Sequence, residues 1–291
     1  MPVLREVKRR IKTSKNISQV TRAMEMVSAV KMKRAQDMAM NGREYTKTLA
    51  KMVKVLAGQM KGQEKSIFLD SKHDIKKILL IVIAPKKGLC GPLVGNLQRA
   101  VANFVLKNKD YAGAEFSFIT LGKKSNDVVR VFNKKVLADF EIFEKGIQIN
   151  AIEPISDYVV SELVAGSTDA VFVAYTEFVN TMTQKPVIQQ FLPIPENQEA
   201  IEKSKDLVIF EPSSREVLER LVVKYAQSVL YQFFLDSVAS EHSARMVAMK
   251  NAHESANDLV TDLSLFYNKM RQDAITTELA DSVSSRLGQE Q

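Results

Sequence analysis

The sequence predicts an α/β fold: a long antiparallel coiled coil of the N- and C-terminal helices plus a central α/β domain. Three observations carry this. Between Pro2 and Gly58 there is no further proline and one glycine, Gly42. From Ser214 to Gly288 there is again neither proline nor glycine between the ends. In the middle, β-branched apolar runs alternate with amphipathic stretches, the pattern of a mainly parallel sheet with crossover helices.

Taken in order, residues 1–60 read as one helix. Pro2 suits a first turn. Ile17, Val20, Met24 and Val27 step by three and four, as do Tyr45, Leu49, Met52 and Leu56, while the charged "KMKRAQ" interrupts the seam. At ~1.5 Å per residue such a helix is roughly 85 Å long. The α/β domain spans 75–195. "IKKILLIVIA" (75–84), closed by Pro85, is a strand buried on both faces. "VGNLQRAVANFVLKN" (94–108) is an amphipathic helix and "EFSFITLG" (115–122) a second strand. A short helix over 123–132 and a short strand over 136–140 follow, then a helix over 149–166 stopped by Gly166. "DAVFVAYTEFVNT" and "PVIQQFLPI" flank "MTQK" as a hairpin. The Pro- and charge-rich 193–206 is a linker.

The C-terminal helix spans 209–287, with Ser213 or Ser214 as N-cap and Glu216 or Glu219 complementing the helix dipole. It is roughly 105–110 Å long. Residues 217–238 are apolar nearly all round and belong against the central domain and the other helix. Met249, Ala252, Ala256, Leu259, Leu263, Phe266 and Met270 then step 3, 4, 3, 4, 3, 4, a heptad seam. Beyond it Ile275, Leu279, Val283 and Leu287 step by four, so the apolar face changes near 271–275. Seven seam residues at ~1.5–3 kcal/mol each give roughly 10–20 kcal/mol before entropy is subtracted. Exposed ion pairs contribute ~0–1 kcal/mol each. The seam is therefore expected to hold the pair, and charge to set direction and partners.

The charge is uneven. Residues 1–60 carry 14 Lys+Arg against 4 Asp+Glu, net +10; residues 61–208 carry 19 against 18; residues 209–291 carry 8 against 12, net −4. Opposite signs at the two ends favour their meeting each other or oppositely charged partners. No run is long and apolar enough to span a bilayer. The basic start has no apolar run behind it, which excludes a secretory signal. The single cysteine, Cys90, excludes an intramolecular disulfide and points to a reducing compartment.

Chemistry-bearing motifs are few. "PKKGLCGPLVGN" (85–96) stands between strand and helix, where phosphate-binding loops stand, but matches neither G-x-G-x-x-G nor G-x-x-x-x-G-K-[ST]. A tight structural turn is the favoured reading, a nucleotide-binding α/β protein with coiled-coil arms the alternative. "GKKS" (122–125) has Ser117 where a phosphate loop needs glycine. His73, His242 and His253 lack partners at metal-ligand spacing. Cys90 reads as a small buried apolar group rather than a nucleophile. The basic first helix has almost no aromatics for base stacking, which argues against nucleic acid. Met24, Met26, Met32, Met38 and Met40 form a stripe suited to helix packing or to an adaptable partner surface. No catalytic cluster, cofactor or metal site is expected.

"RRIKTSKNISQVTRAMEMVSAVKMKRAQ", "KGLCG", "YTEFVNTMTQKP" and "SEHSARMVAMKNAHESANDLVTDLSLFYNKMRQDAITTEL" closely resemble the gamma subunit of the F-type ATP synthase, over essentially the whole chain. The resemblance implies a rotor: a coiled coil inside a hexamer of alpha and beta subunits, with a Rossmann-like α/β domain below it that, with the epsilon subunit, touches the membrane ring of c subunits. It implies no catalysis by this chain, no cofactor, and a role coupling proton flow to ATP synthesis or hydrolysis. By motif, Arg22, Met24 and Met26 in "TRAMEMV" and Arg271, Gln272, Thr276 and Glu278 in "RQDAITTEL" are expected to meet beta-subunit loops. With no leader ahead of the first motif, the expected location is peripheral, on the cytoplasmic face of a bacterial cell membrane.

Overall fold

The computed structural model describes residues 2–59, 68, 75–107, 111, 113–141, 149–194, 211 and 214–287. Helix α1 is Pro2–Gln59 and helix α5 is Ser214–Leu287. Between them come β1 (Lys77–Ile83), α2 (Leu93–Lys107), β2 (Glu115–Leu121), α3 (Lys123–Arg130), β3 (Val136–Phe140), α4 (Glu153–Val164), β4 (Ala170–Phe178) and β5 (Gln184–Leu192). The sheet order is β3-β2-β1-β4-β5, parallel except for the β4–β5 hairpin. The expected linker from residue 195 and the candidate cap Ser213 lie outside the described residues.

The chain divides into two compact units, Met1–Ser28 with Met246–Gln291, and Ala29–Arg245. In the larger unit the period-two alternation of the strands divides two cores. Ile78, Leu80 and Val82 of β1 join Phe118, Phe172 and the α2 residues Leu97 and Val101. Leu79, Ile81 and Ile83 join α4 (Ile155, Val159), α5 (Leu218, Val222, Ala226, Leu230, Phe234) and α1 (Val53, Leu56). Within this unit α1 and α5 run antiparallel: the partner of Ala39 is Gln232 and that of Thr46 is Ser228.

Helix α4 departs from the expected 149–166. Residues Ile149–Ala151 form a separate 3-10 turn, and α4 starts at Glu153 with Pro154 in its first turn, where a missing N–H costs nothing. It ends as read, at Gly166: φ is 69°, and the Ser167 N–H reaches back to the Glu162 carbonyl at 3.1 Å.

Candidate functional site: the helix pair and a pinned turn

The long helices are joined along a different line from the one the apolar spacing suggested. On α1 every seventh residue from Val7 is turned inward: Val7, Ser14, Thr21, Ser28, Ala35, Gly42, Leu49 and Leu56, all buried except the half-buried Gly42. Ile17, Val20 and Val27, read as seam, are 49%, 58% and 55% exposed; Tyr45 and Met52 also face out. The middle of the buried line is Ser, Thr, Ser, Ala, Gly, small enough to let two helices approach closely. A larger Ile or Val there would force them apart.

On α5 the expected seam is kept in part. Met249 and Ala256 are buried, and His253, Val260 and Tyr267, one residue past the expected Ala252, Leu259 and Phe266, are half-buried. Ala252, Leu263 and Met270 are half-buried, while Leu259 and Phe266 are about half exposed. At Ser18 the polar side chains of His253 and Asn257 meet α1, while Leu259 and Phe266 are left outside. The Ser18 hydroxyl donates to Asn257 Oδ1 at 2.7 Å. His253 Nδ1 lies 2.9 Å from the Ser18 carbonyl and 3.0 Å from Ser18 Oγ, and His253 Nε2 lies 3.2 Å from Asn257 Nδ2. One tautomer closes this cycle: Nδ1–H donates to the Ser18 oxygens and Nε2 accepts from Asn257. His253 is thus an interhelical link.

With Ser18 opposite 253–257, Pro2 falls opposite about residue 271 of an antiparallel partner. Pro2 is the first described residue of α1, and residues 275–280 of α5 are all exposed, Ile275 and Leu279 included.

The motif-assigned contact residues sit on these outer faces. Arg22 is exposed and paired with Glu25 at 3.0 Å, Met24 is half-buried, and Met26 is exposed. Arg271, Gln272, Thr276 and Glu278 are exposed, the Thr276 hydroxyl donating to the Gln272 carbonyl. Of the other methionines in the stripe, Met32 and Met38 are half-buried and Met40 is exposed. Charge does not zip the helices together as the opposite signs suggested. Most α1 ion pairs lie within α1, as in Arg10–Glu6, Lys33–Asp37 and Lys47–Glu44. Between α1 and α5, Arg43 pairs with Asp236 at 3.9 Å. The basic surplus of α1 therefore faces outward.

The β1–α2 turn, 84–92, is the one loop motif with unusual geometry. Leu89 has φ 63° and Gly91 φ 57°. Cys90 is buried, and burial pushes its thiol above the usual range. The carbonyls of Lys87 and Gly88 face Arg245, whose Nη2 donates to both at 3.1 and 3.2 Å. A phosphate cradle needs converging N–H groups; this turn accepts a cation instead. The geometry weighs against the nucleotide-binding alternative. "GKKS" is likewise structural: the Lys124 N–H bonds the Pro85 carbonyl and the Ser125 hydroxyl the Gly122 carbonyl. His242 accepts from Arg245 through Nδ1 at 3.2 Å, and burial, with the Arg245 and Lys31 charges, lowers its pKa to about 4. His73 lies outside the described residues, among which no His, Cys, Asp or Glu cluster suits a metal.

The ATP synthase family model matches residues 3–286. The ATP synthase gamma chain of Roseiflexus sp. (strain RS-1) is 38% identical over 98% of this chain and 97% of its own, and that of Herpetosiphon aurantiacus 40% identical over 97% of each. Among solved structures, the central stalk and c-ring of Tetrahymena thermophila mitochondrial ATP synthase aligns with a TM-score of 0.63 and 26% identity, over 80% of this chain and 99% of that one. A Euglena gracilis mitochondrial ATP synthase chain shares the fold at TM-score 0.66 and 18% identity, over 99% of this chain and 94% of its own. A family match that runs from one long helix through the sheet to the other places this chain in the ATP synthase gamma chain family.

Proposed function

We propose that the chain is the central rotor shaft of an F-type ATP synthase. It couples rotation of a proton-driven membrane c-ring to ATP synthesis and hydrolysis in a hexamer of alpha and beta subunits, and performs no bond-making itself. The observation that carries this reading is the inverted packing of the helix pair. Small and hydroxyl-bearing residues hold the pair together, and Ile17, Val20, Val27, Leu259, Leu265 and Phe266 face out. Apolar side chains left outside in this number mark a surface made for partners.

A shaft of unlike faces supports a mechanism. Three chemically identical sites around it meet different surfaces, so each is biased towards a different state by its own differential contacts; turning the shaft moves the bias on. Arg22, Met24, Met26, Arg271, Gln272, Thr276 and Glu278 are assigned to beta-subunit loops. The Arg271 guanidinium has the fork geometry for a carboxylate and no ion-pair partner among the described residues. Epsilon and the c-ring are assigned to the larger unit. No helix among the described residues is long and apolar enough to cross a membrane. The chain is assigned a peripheral place on the membrane-bound complex, at the cytoplasmic face of a bacterial cell membrane.

The test is assembly. Mixed with alpha, beta and epsilon subunits and returned to membranes bearing the c-ring, the chain should restore ATP-driven proton pumping. Failure to co-purify with alpha and beta, together with tight stoichiometric ATP binding by the chain alone, would replace this reading with that of a nucleotide-binding protein.

A further inference from the structure

We propose that Arg245, held by Glu241, is a positioning residue that pins the β1–α2 turn to α5, so that the sheet and α5 turn as one body; the functional half of this rests on the rotor reading above. Three independent observations meet at this point. The first is strain. Leu89 is a branched, non-glycine residue at φ 63°, a left-handed conformation that is strained for an L-residue. It is also 64% exposed, so side-chain burial does not hold it there.

The second is the restraint. One guanidinium spans the strained turn and the helix. Arg245 Nη2 donates to the carbonyls of Lys87 and Gly88, the two residues just before Leu89, and Nε lies 3.4 Å from the latter. Nη2 also lies 2.7 Å from Glu241 Oε1, one helical turn back on α5. Both side chains are about nine-tenths buried, at 10% and 11% exposure. A charge pair this buried is weak evidence for stability, because desolvation offsets most of the attraction. Its geometry fixes direction, which is what a pin requires. The third observation is the seat. Cys90 and Leu93, on the far side of Leu89, are buried against Ala244 of α5, so the turn touches the helix through its carbonyls on one side and its side chains on the other.

Lysine is a poor substitute, since its single shorter-reaching ammonium lacks the further donors by which Arg245 Nε meets the Gly88 carbonyl and Nη1 meets His242. Cys90 is the chain's only cysteine, which makes its thiol a reporter of the pin. In the isolated full chain, Arg245→Gln and Arg245→Lys should each raise the rate of maleimide addition to Cys90 by about tenfold or more, as expected when charge-assisted bonds that oppose a local opening are lost. Glu241→Gln, which keeps the side-chain shape, should raise it by a smaller factor and serves if the arginine variants do not fold. Helix content should be unchanged. In the assembled complex the arginine variants should lower proton pumping per ATP hydrolysed. Unchanged thiol rates in all three variants would overturn the pin. Raised thiol rates with unchanged pumping per ATP would overturn its part in coupling. Failure of the wild-type complex to pump would strike the rotor reading and leave the thiol result standing.

Discussion

If small residues hold the helix pair together, enlarging one must cost more than removing a large apolar neighbour. Ser18→Leu and Ile17→Ser make the comparison on adjacent residues. Ser18 is buried at 6% exposure and bonded to Asn257 and His253. Leucine there adds carbon at a buried position between the helices, an overpacking cost of ~1–3 kcal/mol. The lost hydrogen bonds add about 1 kcal/mol, since water can reach the exposed Asn257. Better helix propensity returns only a few tenths of a kcal/mol. The net destabilisation is ~2–4 kcal/mol. Ile17, half exposed, forfeits at most about half of its burial on becoming serine, ~1 kcal/mol. Because the chain has two units, global unfolding is the wrong measure; hydrogen exchange of α1 amides between residues 8 and 28 isolates the relevant one. Protection should fall by a factor of about 30 or more in Ser18→Leu and at most about fivefold in Ile17→Ser. Equal losses, or a larger one in Ile17→Ser, would refute the inward line and restore the apolar stripe as seam.

Three further outcomes follow from the same packing. Gly42→Ala should stabilise the larger unit by ~0.5–1 kcal/mol in urea unfolding, because a Cβ meets Gln232 Oε1 at an ordinary 3.4 Å and alanine is the better helix former; Gly42→Leu should reverse the sign. Asp236 has its pKa raised to about 6 by burial, with Glu177 also raising it and Arg43 opposing. The folded state therefore binds a proton more tightly than the unfolded chain, and stability falls as pH rises from about 4 through 6. Asp236→Asn should stabilise at pH 8 by at most ~3 kcal/mol, a figure in which the opposing Arg43 attraction is already included, and the gain should vanish by pH 4. Arg271→Ala should leave stability within ~0.5 kcal/mol, because the side chain is exposed and has no ion-pair partner among the described residues, yet reduce ATP-driven pumping by the assembled complex.

The alternation of strands and helices was legible because period two and period 3.6 are separate signals, and the four parallel strands β3-β2-β1-β4 are the ones that helices connect. The two long helices were legible from the spacing of glycine and proline. The inner face of the helix pair was not, for a reason visible at Ile17 and Ser18. Hydrophobic periodicity assumes that the largest apolar residues are buried within the chain that carries them. Here several of them face outward, and the seven-residue repeat of Ser14, Thr21, Ser28, Ala35 and Gly42 carries the signal instead. That repeat can be read from sequence, provided small size and not hydropathy is scored. Arg245 and Glu241 could not be found this way, since their meaning depends on a turn more than 150 residues earlier in the chain.

The inverted packing also has a mechanical logic. Directional bonds specify one arrangement, whereas apolar contact is non-directional and scales with area alone. A pair that must stay in one register needs the first kind inside, and Ser18, His253 and Asn257 supply it. A surface that must pass a succession of neighbours needs the second kind outside, because each fixed polar partner would have to be broken at every step. Ile17, Val20, Leu259 and Phe266 present such a surface. Exposed charge stands on the same helices at Arg22 and Arg271, the residues proposed to meet beta-subunit loops. The division between inner hydroxyls and outer hydrocarbon is what lets one helix pair be rigid within itself and free to turn against what surrounds it.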